Sequence, residues 1–254
     1  MADNASVSLL SVVIPAYNEE KVLPETAETL LSALSRMAGN GLFSDFEILF
    51  VNDGSLDGTA AVLARIAETD AHFRVLGYEK NRGKGCAVRT GVLASRGDFV
   101  LYTDSDLAYG TDVIADAVGK ITGSGTDFVV GSRAIHPEGY AGYTFLRRAA
   151  SVCYLRFLSL AAGFPLSDSQ CGFKGMRGES GRAVFADCTT DGFAFDFELL
   201  MRAARRGMTF AELPVRVLHH GESKIHLVRD SIRMLGDIAQ IKKKLKREEK
   251  DTVK

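Results

Sequence analysis

Asp104 and Asp106 stand two residues apart in Leu101-Tyr102-Thr103-Asp104-Ser105-Asp106, at the end of the apolar run Phe99 to Tyr102. A run of that kind reads as a buried strand, and where it ends and the backbone turns both carboxylates can converge on one point outside a sheet. A hard divalent cation takes such oxygen ligands, and Mg²⁺ uses one or two carboxylates when substrate phosphates complete its shell. Alone, the pair reads equally well as a polar turn, because an isolated acidic pair carries little information.

The elements around the pair favour chemistry. Short β-branched or aromatic runs lie at Leu9 to Ile14, Phe46 to Val51, Arg74 to Tyr78, Phe99 to Tyr102 and Phe128 to Val130. Between them, helical spacing covers Glu20 to Met37, Asp57 to Glu68, Lys84 to Ser95 and Asp112 to Ile121. This alternation predicts right-handed βαβ units and a mostly parallel sheet covered on both faces, with ligands outside the carboxyl ends of its strands. Pro15-Ala16-Tyr17-Asn18-Glu19, Asn52-Asp53-Gly54-Ser55 and the aspartate pair all fall there.

After Arg133 the rhythm changes. A loop with Pro137, Gly139 and Gly142 precedes a large-apolar helix, Tyr143 to Ala162, and then a Gly-rich turn from Ser167 to Gly175. A helix start at Phe195 to Leu200 and a strand from Phe210 to Leu218 follow; Pro214 marks that strand as an edge. Apolar residues at Ile225, Val228, Ile232, Leu235, Ile238, Ile241 and Leu245 give a final amphipathic helix. The reading is one domain, residues 1–225, with a nucleotide half to about 125 and an acceptor half over 126–225; a helix and basic tail occupy 226–254.

Composition narrows the class. The 254 residues are 46% hydrophobic and 25% charged, with net charge −1, ordinary for a soluble enzyme and unlike a nucleic-acid binder. Cys86, Cys153, Cys171 and Cys188 show no zinc-type spacing and read as buried thiols in a reducing, cytoplasmic setting. Neither a signal peptide nor a run of about 18 apolar residues is visible. The basic cluster Lys242-Lys243-Lys244-Leu245-Lys246-Arg247 would allow peripheral contact with anionic headgroups on the cytoplasmic membrane face.

Val13-Ile14-Pro15-Ala16-Tyr17-Asn18-Glu19-Glu20, Val51-Asn52-Asp53-Gly54-Ser55 with Asp57-Gly58-Thr59, Asn81-Arg82-Gly83-Lys84-Gly85 and the aspartate pair together resemble the family-2 inverting glycosyltransferases. The likeness runs on through Gly131-Ser132-Arg133, Asp168-Ser169-Gln170-Cys171-Gly172-Phe173-Lys174, Phe195-Asp196-Phe197-Glu198 and Ser223-Lys224, over roughly residues 9 to 225. Within the family it is similar to the dolichyl- and polyprenyl-phosphate sugar synthases, and the 168–174 segment is most like their glucosyl branch. Ala108, where many mannosyl relatives carry Gln, points away from mannose.

The resemblance implies a GT-A-type, doubly wound α/β fold and transfer of a hexose, glucose first, from a nucleoside-diphosphate sugar, UDP first, to a polyprenyl phosphate. Asp104 and Asp106 would hold Mg²⁺ or Mn²⁺. Pro15, Ala16, Tyr17 and Glu19 would line the nucleoside pocket, with Asp53, Lys84, Ser105 and Lys224 also contacting the nucleotide. Asp53 would accept a base imide N–H, or else cap the following turn. Gly83-Lys84-Gly85 is no dinucleotide fingerprint, since the third glycine position is Val88.

On the acceptor side stand Arg133, Arg147, Arg148, Gln170 and Lys174. A phosphomonoester, with its second pKa near about 6, is already a nucleophile and needs orientation rather than a base. A hydroxyl acceptor would need a carboxylate or histidine in reach, for which Asp168 is the candidate, with Asp196 and Glu198 behind it. A soluble hydroxyl-bearing acceptor is therefore the alternative; a non-catalytic nucleotide-sugar sensor and a nucleotidylyltransferase are minor ones. His219, His220 and His226 have no metal-ligand spacing, and no motif encodes the oligomeric state.

Overall fold

The structure, a computed structural model, describes residues 7–141, 166–218 and 227–252. The expected helix Tyr143 to Ala162, with Arg147 and Arg148, lies outside the described residues, as do Lys224 and all three late histidines.

The first half is laid out as β1 (Leu9–Ala16), α1 (Leu23–Gly39), β2 (Asp45–Asp53), α2 (Thr59–Thr69), β3 (Phe73–Tyr78), α3 (Lys84–Ala94), β4 (Phe99–Tyr102), α4 (Asp112–Ser124) and β5 (Phe128–Ser132). Then follow β6 (Lys174–Arg177), α5 (Gly178–Phe185), α6 (Phe195–Arg205), β7 (Phe210–Pro214) and α7 (Leu227–Thr252). The seven strands form one sheet in the order β3-β2-β1-β4-β6-β5-β7. Neighbours pair in parallel except β6, which runs antiparallel to both β4 and β5.

Period-two alternation divides the core. Leu10, Val12 and Ile14 of β1 share a cluster with α1, α2 and α4, whereas Val13 joins a cluster with α3, α5 and α6. Helices therefore cover both faces, which explains why these strands read as continuous apolar runs. Ile238, Ile241 and Leu245 of α7, three and four residues apart, pack with Val130, Leu166, Phe197 and Leu200.

The sequence expectation missed β6, reading a Gly-rich turn through Gly175. Lys174-Gly175-Met176-Arg177 has no β-branched residue to signal a strand, and only pairing between β4 and β5 makes it one. The last strand stops at Pro214 rather than Leu218, and it is an edge strand, as the proline required. β1 pairs with β2 on one side and β4 on the other, so the strand order reverses there. The loops after β1 and β4 flank that topological switch point, where open α/β sheets bind ligands.

Candidate functional site

β1 and β2 end side by side, with Ala16 opposite Asn52. The loops that follow are zipped together. Asn18, at φ 55°, donates its N–H to Ser55 Oγ (3.0 Å) and accepts from the N–H of Leu56 on Oδ1 (2.8 Å). The Glu19 N–H reaches Thr59 Oγ1 (2.9 Å), and Glu20 Oε2 accepts from the Gly58 N–H (2.7 Å). The two motifs thus act as one rigid ledge. Tyr17 is exposed upon it and Pro15 half-buried, whereas Ala16 turns its side chain into the core.

Asp53, at the end of β2, is only 3% exposed. Its carboxylate accepts from Tyr78 Oη (2.6 Å), Asn81 Nδ2 (2.9 Å), the Arg82 N–H (2.9 Å) and the Gly83 N–H (3.0 Å). A carboxylate offers about four lone-pair sites. The chain itself fills them, so a base N–H would have to displace one of these donors. This geometry fits the turn-capping role for Asp53 and supplies no open acceptor for a base edge. Burial and the Asp53 carboxylate together push the Tyr78 phenol up, keeping it a donor.

The turn so fixed delivers α3. Gly83, at φ +109°, lies so close to Asp191 that a Cβ would sit 2.5 Å from its carbonyl oxygen; at Gly85 a Cβ would meet the Phe195 Cβ at the same distance. That carbonyl accepts the N–H groups of Gly85 (2.8 Å) and Cys86 (3.3 Å). These glycines therefore admit the 190s segment, and two of the helix's free N–H groups are spent on Asp191. The Asp191 carboxylate also pairs with Arg89 (2.6 Å). Nothing local signals Asp191, whose partners lie about a hundred residues away.

At the switch point, β4 gives way to the acidic pair. The Thr103 N–H still bonds Val13 O (3.2 Å), extending the ladder by one step. Buried Leu107 then adopts φ 47°, a conformation uncommon outside glycine that concentrates at functional sites. Ser105 is buried, its carbonyl accepting from Thr26 Oγ1 of α1 (2.5 Å). Asp104 is partly exposed and bonded by Lys84 Nζ on Oδ1. Asp106 reaches the surface, and desolvation on its protein side together with Asp104 pushes its carboxyl above the ordinary value. For Lys84, burial opposes the charge, but Asp104 and then Asp196 outweigh it and raise its pKa.

Negative charge in excess is what a cation site needs, and the two aspartates fit Mg²⁺ or Mn²⁺. Among the described residues no group of three or more His, Cys, Asp or Glu could hold a metal. Any cation here would take its remaining oxygens from ligand phosphates or water, the usual habit of Mg²⁺.

Against Asp104 lies the 168–174 turn. A Cβ at Gly172 would fall 2.2 Å from Asp104 Oδ2, and the Gly172 N–H donates to Tyr109 Oη (3.2 Å). Asp168, 0% exposed, takes Arg133 in a two-point grip: Nε to Oδ2 at 2.6 Å and Nη2 to Oδ1 at 2.9 Å. The N–H groups of Arg133 (3.1 Å) and Gln170 (3.3 Å) complete it. Burial works against the Arg133 charge, but Asp168 outweighs it and holds the guanidinium firmly protonated. Arg133 and Asp168, expected separately, are one unit, with Asp168 turned inward.

Lys174 corrects an expectation. It is 0% exposed, with Nζ 2.7 Å from both Asp196 Oδ1 and Cys171 O, and 5.7 Å above the Tyr102 ring. Asp196 also takes the Tyr102 hydroxyl. As the first residue of β6, Lys174 faces the interior between β4 and α6, where an acceptor cannot reach it. Asp196 serves that pair rather than standing behind Asp168. Glu198 caps a loop: its carboxylate accepts the Thr189 (3.0 Å) and Thr190 (2.7 Å) N–H groups and binds Arg202 (2.9 Å). These bonds hold its pKa down against burial.

Comparison with known proteins agrees with this geometry. The family model described as "Glycosyl transferase family 2" matches residues 11–185. A dolichyl-phosphate beta-glucosyltransferase of Trichomonas vaginalis is 37% identical over 90% of this chain and 69% of its own. One from Dictyostelium discoideum is 32% identical, covering 92% of this chain and 73% of its own. Among solved structures, glucosyl-3-phosphoglycerate synthase from Mycobacterium tuberculosis with Mn²⁺, UDP-glucose and phosphoglyceric acid superposes with a TM-score of 0.65. The match covers 92% of this chain and 79% of that one at 22% identity, a likeness of fold. With its mostly parallel, doubly wound GT-A sheet and these relatives, the chain is a glycosyltransferase that belongs to glycosyl transferase family 2.

Proposed function

We propose that the protein transfers glucose, with inversion, from UDP-glucose to dolichyl or another polyprenyl phosphate. The observation that carries this reading is the Arg133–Asp168 unit. Asp168, the first carboxylate that sequence offered as a base for a hydroxyl acceptor, is fully buried, its oxygens held by a guanidinium and two N–H groups. A phosphate acceptor needs no such base, only a positioned cation. The names of the relatives from Trichomonas and Dictyostelium support the acceptor and the sugar. Solved neighbours with UDP and Mn²⁺ or Mg²⁺ support the donor and the metal.

In this mechanism residues up to about 125 form the nucleotide half and those of 126–225 the acceptor half. The ledge of Pro15, Tyr17 and Glu19 bounds the nucleoside. Asp104 and Asp106 would hold a Mg²⁺ or Mn²⁺, which when bound offsets charge on the departing diphosphate. Arg133, kept in one orientation by Asp168, turns the remaining donors of its guanidinium to the acceptor phosphate. A phosphate oxygen attacks the anomeric carbon from the face opposite the diphosphate. The new C–O bond forms as the old one breaks, UDP leaves, and no proton moves.

The basic residues Lys243, Lys246 and Arg247 lie exposed on α7, available to an anionic membrane surface. Among the described residues no helix is long and apolar enough to cross a membrane. The test is transfer from UDP-glucose, and from GDP- and dTDP-sugars, to short polyprenyl phosphates and to simple alcohols. Transfer to the phosphates is the expected result; robust transfer to alcohols with none to phosphates overturns the reading.

A further inference from the structure

The aspartate expected to hold a metal already holds a cation. Lys84 Nζ bonds Asp104 Oδ1, one of two oxygens on a carboxylate whose other oxygen, Oδ2, is crowded by Gly172. The backbone beneath Lys84 is fixed from both sides. Gly83 donates its N–H to Asp53, and the N–H groups of Gly85 and Cys86, on the other side of Lys84, bond to the Asp191 carbonyl. Only the flexible lysine stem is left to move, and its side chain is 21% exposed beside a 35% exposed Asp104. The contact lies at a rim that a ligand can enter.

An ammonium and a dication bound to the same oxygen repel each other. A lysine, with rotatable donors on a four-carbon stem, can leave if other oxygens are offered nearby. We propose that Lys84 is a resident counter-ion that occupies the divalent cation's place on Asp104 and yields it only when a nucleoside diphosphate offers the ammonium new oxygens, so that cation and nucleotide bind cooperatively. The inference rests on the nucleotide-sugar reading and deepens it. Without nucleotide, the lysine compensates Asp104 and the cation is weakly held. With it, Lys84 swings to the diphosphate and frees Oδ1. Linkage makes the effect reciprocal: whatever UDP does for the cation, the cation does for UDP.

The probe is Mn²⁺ itself, its free concentration followed by paramagnetic resonance in titrations of wild type and Lys84→Met, each with and without UDP. The ratio of the two Mn²⁺ affinities defines the coupling. Lys84→Met should bind Mn²⁺ more tightly without UDP and lose much of the coupling, by roughly 5-fold or more, the lower end of typical allosteric coupling. Lys84→Gln, which keeps a hydrogen-bond donor without the charge, should move the same way and guards against a folding failure of the first variant. Equal gains with and without UDP would mean simple repulsion and overturn the proposal, as would unchanged UDP-free affinity or no Mn²⁺ binding at all. Should Mn²⁺ and UDP bind together with coupling that ignores Lys84, only this inference fails. Should glucose transfer persist in excess chelator with no Mn²⁺ bound, the metal role in the proposed function fails with it.

Discussion

Gly172 makes room for Asp104: a Cβ on the glycine would lie 2.2 Å from the carboxylate oxygen Oδ2. The acceptor-side turn and the acidic pair therefore share a surface with no spare volume, and any side chain at 172 must push the carboxylate aside. Gly172→Ala should fold, because the aspartate is partly exposed and can yield. Its transfer rate should fall on the order of 10²-fold, the usual cost of about 1 Å of misplacement in a catalytic group. Measuring kcat beside thermal stability checks this; wild-type turnover in Gly172→Ala would show that Asp104 has no fixed place in the reaction.

The Arg133–Asp168 unit separates the two kinds of acceptor. Asp168→Asn breaks a two-point charged grip and leaves a mostly buried guanidinium without its counter-charge, at a cost of about 3–5 kcal/mol. The variant should melt earlier and use its phosphate acceptor poorly, with KM raised more than kcat falls. The pH–rate profile of the residual activity should keep its shape, since no proton is removed from a phosphate. A loss of about 10²–10⁴-fold in kcat together with loss of a basic limb would instead mark Asp168 as a general base.

What the sequence made legible was local. β1, β2 and β4 announce themselves as apolar runs, and the polar residues at their ends follow directly, so the acidic pair and the two zipped loops could be placed from neighbours in the chain. β6 could not, because Lys174-Gly175-Met176-Arg177 becomes a strand only between partners more than forty residues away. Shorter separations, still beyond any local pattern, hide the polar contacts. Nothing near Asp53 says that Tyr78 and Asn81 will consume its carboxylate, and nothing near Lys174 says that Asp196 will draw it inward. Spacing names residues able to do chemistry; tertiary pairing decides which of them remain available.

At the opposite end of the sheet, Glu47 supplies a stability test well away from the site. It is buried in β2 and bonded by Ser11 Oγ (2.7 Å), the Arg96 N–H (2.7 Å) and Arg74 Nη1 (2.6 Å). Burial alone would raise its pKa, but these bonds prevail and hold it below the ordinary value. A folded-state pKa below the unfolded one means stability present above the unfolded pKa and lost as pH falls through the folded one. Glu47→Gln should lower the melting temperature at neutral pH, and the gap from wild type should close under acid. Melting curves across that range decide it; a gap independent of pH would mean that the ionised carboxylate contributes nothing.

The last prediction concerns Lys174, the residue whose expected acceptor role the structure removes. Its ammonium is sealed between Asp196, Cys171 O and the Tyr102 ring, so its work is to hold the 168–174 turn against β4 and α6. Removing one member of a buried pair strands the other, at about 3–5 kcal/mol, whereas replacing both with apolar groups of similar volume is often neutral. Lys174→Met and Asp196→Leu should each lower stability strongly, and the double variant should recover much of the loss, so that the two effects are far from additive. Denaturant melts of the four proteins close the cycle. Acceptor KM should follow stability across the set, because Lys174 acts by fixing the turn that carries Asp168. If Lys174→Met raised acceptor KM sharply at unchanged stability, the lysine would have to reach the acceptor after all, and the inward placement of its side chain would be wrong.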